Sequence, residues 1–207
     1  MSRTTASAKT IALVGFVFIA LIVLARVMPH LPNFTPVAAA GLFLAFAFGR
    51  KVGIAVVGLG MVVTDLFFAG GYQMGLMISV YIGLMLPVVF GPFLHRLYHS
   101  NADIATWKRG IMRTLQIGGL ATAGAVIFFL VSNFGVWFFS SIYPATVEGL
   151  VSCYVMALPF FKNSLMGDLF YSGAFFGIYY LLQFVSDDSS DRRWEDRLRK
   201  IPVRKDK

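Results

Sequence analysis

Charge is almost absent from long stretches of this chain and is concentrated at the edges of those stretches. Six apolar runs emerge, over residues 10–27, 36–49, 52–69, 75–94, 114–131 and 164–185. A helix needs roughly 20 apolar residues to cross a bilayer's hydrocarbon, within a range of about 17 to 25. Most of the runs fit that length, while 36–49 is short. Only 14% of the 207 residues are charged, against about 25% in soluble domains, so lipid is the solvent this composition suits. The first run is too long for the core of a typical signal peptide, and no A-x-A-like site follows it.

The basic residues orient the spans, because Lys and Arg are retained on the cytoplasmic side. With the N-terminus inside, Arg3, Lys9, Arg50, Lys51, Arg96, Lys108, Arg109, Arg113 and the whole basic set after residue 190 fall inside. Of 18 basic residues, only Arg26 and Lys162 are left toward the outside. The expected architecture is an all-α integral membrane protein of six transmembrane helices with both termini cytoplasmic. Residues 1–186 form the membrane domain and 187–207 a basic cytoplasmic tail. Between helices five and six, 132–163 reads as a long outer loop rich in helix breakers, with re-entry left open. A net charge of +8 held in short loops and a tail suits anionic lipid, and no nucleic-acid-binding motif accompanies it.

The outer connections are nearly uncharged, and aromatic, Asn, Gly and Pro residues dominate them. "MPHLPNFTPVAAAGLFLAF", Met28 to Phe46, interrupts an apolar stretch with three prolines, an Asn, a His and a Thr. Irregular backbone at membrane depth is tolerated where protein buries it or where it lines a cavity. Tyr72, Trp137 and Tyr143 suit either an interfacial belt or a pocket wall. Asp65 and Asp168 are the acidic residues within predicted spans, both near the outer side, with Glu148 between them in sequence. Each is either structural, pairing with Arg26 or Lys162 or capping a helix, or functional. A faint echo joins them: Asn33-Phe34 precedes "DLFF" at Asp65 as Asn133-Phe134 precedes "DLFY" at Asp168.

Several chemistries lack their motifs. There is no G-x-x-x-x-G-K-[ST] phosphate loop, no H-E-x-x-H and no G-x-S-x-G elbow, so the chain reads as a non-enzyme with no cofactor and no metal. His30, His95 and His99 have no carboxylate at metal-site spacing, and the single cysteine, Cys153, excludes an internal disulfide. Small residues recur at Ala8-x-x-x-Ala12, Gly71-x-x-x-Gly75 and "GGLATAGA" over 118–125, spacings that let helices approach closely in lipid.

"LPNFTPVAAAGLF", "TDLFF" and "FFLVSNFGVW…YPATVEGLVSCYVMALPFFKNSLMGDLFYSGAFFG" resemble a family of uncharacterised bacterial transport membrane proteins, similar to the S components of energy-coupling factor (ECF) transporters. The resemblance spans about residues 10–185. It implies a six-helix subunit of the bacterial inner membrane that binds a vitamin or metal ion from outside, working with a membrane T component and two cytoplasmic ATPases. In that reading Asn33, Thr35, Asp65, Asn133, Trp137, Tyr143, Glu148, Asn163 and Asp168 form the binding site, with Pro36 as the first helical residue. Ala8 and Ala12 would face the T component. The carboxylates favour a cationic or hydrogen-bond-donating substrate. The alternatives are a stand-alone secondary carrier or channel, using Asp65 and Asp168 for protons or ions, and a non-transporting assembly or scaffold subunit.

Overall fold

The structure, a computed structural model, describes residues 7–67, 73–100 and 106–199, with side chains through residue 185 apart from those of 99, 100 and 106. Gly71, Tyr72, Asp103, the His99 side chain and the charged side chains of the tail therefore lie outside the described residues. Every described element is helical: α1 (Ala8–Val27), α2 (Val37–Phe48), α3 (Arg50–Phe67), α4 (Met74–Met85), α5 (Phe90–Ser100), α6 (Thr106–Phe139) and α7 (Val147–Arg199). A turn of 3₁₀ helix, Leu86–Val89, joins α4 to α5, so the chain makes six rods. Pro87 sits in that turn, where its missing N–H and fixed φ favour the tighter winding. Four rods are long and apolar enough to cross a membrane: Ala8–Val27, Met74–Tyr98, Trp107–Phe139 and Val147–Val185.

The short helix organises the bundle. The 12 residues of α2 span about 18 Å, well under the ~30 Å of bilayer hydrocarbon. It is apolar on all sides, and nine of its residues are buried, as expected of a helix wholly surrounded by protein. Ala38, Ala40, Leu44 and Ala45 pack with Ile22, Val57, Met61 and Val88, while Phe46 packs with Leu94, Tyr98 and Phe176. Lipid tails are as apolar as these side chains, so close packing rather than escape from water holds the helices together. Gly49 adopts φ 99°, which suits glycine, and turns the chain directly into α3.

Glycines in this core mark close approach. A methyl group at Gly91 would lie 2.6 Å from backbone atoms of Ala45 and Phe46, which have no freedom to give. Gly91→Ala is expected to destabilise by at least ~1–3 kcal/mol, read as a lower unfolding midpoint in detergent. An unchanged midpoint would contradict this packing.

The long outer loop expected over 132–163 is instead mostly helix. α6 continues to Phe139, only 140–146 turns, and α7 begins at Val147. The breakers are accommodated. Asn133 donates its side-chain amide to the Phe129 carbonyl, Gly135 makes room for Ser79, and Pro159 lies inside α7. In an apolar setting a helix keeps its own backbone satisfied, which outweighs modest intrinsic propensities. α7 likewise runs past residue 186 to Arg199, through the expected boundary of the tail. Pro36 precedes the first residue of α2 rather than forming it.

Chain direction alternates along the bundle. Arg26 meets Asp65, and Gly75 abuts Phe139, placing the α1–α2 connection, the start of α4 and the α6–α7 turn toward one end. Arg113 meets Tyr98 and Tyr180 toward the other.

Candidate functional site

Because α2 stops short, the α1–α2 connection descends into the bundle to meet it. Asn33 takes a left-handed conformation, φ 63°, which asparagine tolerates better than most residues. The turn closes with the Phe34 N–H donating to the Leu31 carbonyl at 2.9 Å. It aims Phe34 at α7, where its ring lies 5.6 Å from Tyr171 and 6.0 Å from Phe170. Gly167 permits the approach, since a Cβ there would come 3.2 Å from the Phe34 backbone.

A cavity of about 250 Å³ opens between this connection, the N-terminal end of α2 and the surrounding helices. Asn33, Thr35 and Asp168 line it, as the sequence reading expects, together with Arg26, His30 and Ser164. Val37, Met61, Val80, Leu84 and Phe128 supply the apolar wall. Pro36 offers no side-chain cap to α2, whose N-terminus faces this space.

The two aspartates within the apolar helices differ sharply. Asp65 is consumed within the protein. Arg26 reaches its carboxylate at 3.1 Å, and the Tyr81 hydroxyl donates to it at 2.7 Å. The same guanidinium donates to the Thr64 hydroxyl at 2.7 Å. Pairing with Arg26, one of the structural alternatives, is therefore what Asp65 does. It supports the cavity by fixing Arg26 in the wall.

Asp168 has no such partner. It is 6% exposed and makes no hydrogen bond or ion pair among the described residues. Lys162 is exposed on the same helix and does not pair with it. Ser164, Asp168 and Ser172 are all buried and recur every four residues, so one face of α7 carries a polar line into the bundle. Asp168 and Ser172 also border a gap of about 10 Å³, roughly the room one water needs. The Ser172 hydroxyl there has no partner among the described residues. Gly124, on the wall of that gap, lies near the middle of α6, which puts Asp168 at mid-depth of the bundle.

The remaining expected site residues stand outside this cavity. Asn133 is turned to its own helix backbone, and Trp137 donates its indole N–H to the Pro144 carbonyl at 3.1 Å, bracing the α6–α7 turn. Tyr143 lies in that turn, and Glu148 is exposed in the first turn of α7. Asn163 precedes Ser164 but does not line the cavity. These positions follow from 132–163 being helical: residues expected in one enclosing loop are spread along two long rods. Arg26, His30, Ser164 and the apolar wall were not among the expected binding residues, although Arg26 was named as a possible partner of the aspartates. The available signal was the four-residue spacing of Ser164, Asp168 and Ser172 in an otherwise apolar helix. No group of three His, Cys, Asp or Glu residues suited to a metal occurs among the described residues.

Comparison with known proteins gives a family without an assigned activity. The model of a family of unknown function, DUF6580, matches residues 6–189, and the chain belongs to that family. No curated protein matches the chain, and no solved structure matches it.

Proposed function

We propose that this member of DUF6580 is a solute-binding subunit of a membrane transporter, and that its cavity takes a small organic cation. The observation that carries the reading is Asp168, a buried carboxyl group facing the cavity with no partner among the described residues. Arg26 is already neutralised by Asp65, so Asp168 is the uncompensated acidic group of the cavity wall. A bare carboxylate among apolar walls is costly, and a bound cation offsets that cost. Asn33, Thr35 and Ser164 add neutral hydrogen-bonding groups, and Phe128 adds an aromatic face. At about 250 Å³ the cavity is below the usual range for drug-sized ligands, which favours a small metabolite.

Position along the bundle supports the same role. Discontinuous helices with a site near mid-depth recur in transporters, and the short α2, beginning beside Asp168, is similar in form. The distribution of basic residues favours an orientation with the cavity's entrance on the outer side of an inner membrane and the α7 extension inside. The resemblance to ECF S components supplies the proposed partners, a T component and cytoplasmic ATPases. Ala8 and Ala12 are both exposed on α1, consistent with a docking face there.

A panel of primary, secondary and quaternary ammonium compounds tests the reading by thermal shift on the detergent-purified protein. At least one is expected to raise the unfolding midpoint saturably, while isosteric neutral analogues do not. Equal shifts with cations and neutral analogues would overturn it. In liposomes the purified chain is expected to bind without accumulating solute. Uptake by the chain alone would favour the carrier alternative.

A further inference from the structure

Glycine placement singles out a second site, unrelated to the solute cavity. In the core, glycines serve contact: methyl groups at Gly41, Gly53, Gly60 and Gly91 would each come within 3.0 Å of a neighbour. At Gly110, Gly119, Gly173 and Gly177 a Cβ would meet nothing within 4 Å. Packing among the described residues gives no reason for those four. Three of them, Gly110, Gly173 and Gly177, line one cleft of about 440 Å³ between α6 and α7.

The lining of the cleft is graded along the bundle. Arg113, Thr114 and Tyr180 lie toward the end where basic residues gather, and Ile117, Leu169 and Phe176 lie deeper. Ser172, 1% exposed and with an unpartnered hydroxyl, stands at the deep end. Arg113 is held rigidly. Its guanidinium lies 3.6 Å from the Tyr98 ring centre and donates to the Tyr180 hydroxyl and the Tyr98 carbonyl, each at 3.1 Å. Its Nε–H has no partner among the described residues. Lys108 and Arg109 precede it in the first turns of α6.

A fixed cation above an apolar trough matches the order of groups in an anionic phospholipid, phosphate first and acyl chain beneath. We propose that this cleft is a specific site for one anionic phospholipid, with an acyl chain between α6 and α7 and the phosphate at Arg113. This differs from the diffuse attraction of a basic tail, which needs no cleft and scales with charge alone.

Native mass spectrometry tests the site on the full chain, with phosphatidylglycerol and phosphatidylcholine as probes. The parent protein is expected to retain one phosphatidylglycerol under activation that strips phosphatidylcholine. Gly177→Leu fills open space, so it folds, and it is expected to lower phosphatidylglycerol retention at least tenfold. Arg113→Gln is expected to remove the preference between the two lipids. Equal retention by parent and Gly177→Leu would overturn the proposal. So would a dimer that Gly177→Leu abolishes, because the cleft's occupant would then be a helix of a second copy.

Discussion

Asp168→Asn is expected to leave the protein folded and to weaken its affinity for ammonium compounds by about thirtyfold or more. Asparagine keeps the size of the side chain while replacing one carboxyl oxygen with an uncharged amide nitrogen. No hydrogen bond or ion pair with another described residue is lost, because Asp168 makes none. The unfolding midpoint without ligand should therefore hold or rise, since a buried unpaired carboxylate opposes folding. Removing one partner of a buried charge pair costs a ligand about 2 kcal/mol or more, roughly a thirtyfold loss of affinity. Isothermal titration with the best compound of the panel reads that loss. If Asp168→Asn bound as tightly as the parent, the carboxylate would not be the recognition group. If it failed to fold, Asp168 would have an unseen structural role.

Asp65→Asn is expected to behave in the opposite way, damaging stability directly. The substitution leaves Arg26 without its counter-charge in a partly buried setting, since both side chains are about one-fifth exposed. The expected loss lies between the ~1 kcal/mol of an exposed pair and the ~3–5 kcal/mol of a buried pair broken on one side. Thermal unfolding in detergent measures it. A double-mutant cycle isolates the cause: adding Arg26→Met should recover part of the loss, because the uncompensated charge goes with it. If the double variant were less stable by the sum of the two singles, the Arg26–Asp65 pair would contribute nothing.

The contrast between these aspartates bears on what a sequence reveals. Both stood out because a carboxylate is costly in an apolar span, and that cost is a local property. Which one was free depended on Arg26, 39 residues before Asp65, and on Tyr81, 16 residues after it. No periodicity encodes such a meeting. The apolar runs were legible as helices because apolar length is a property of short segments. The interruption at Asn33, Thr35 and Pro36 stood out for the same local reason, and Asn33 and Thr35 line the cavity beside the α2 N-terminus.

The segment 132–163 was misread because breakers were weighed as in a water-exposed chain. Asn133, Gly135 and Pro159 each weaken an isolated helix. Within the bundle, Asn133 finds a carbonyl of its own helix, and Gly135 is required by Ser79. The burial of α2 was equally hidden: "VAAAGLFLAFAF" reads as a short span, and its alanines look unremarkable. Only the surrounding helices show that those small side chains set the spacing of the core, and that the missing length of α2 creates the cavity.

The most direct test of the central claim is native mass spectrometry of the protein taken gently from its own membranes, run beside Asp168→Asn. The account predicts a small bound compound that is cationic when released, present on the parent and absent from the variant. A neutral or anionic compound retained equally by both would contradict it.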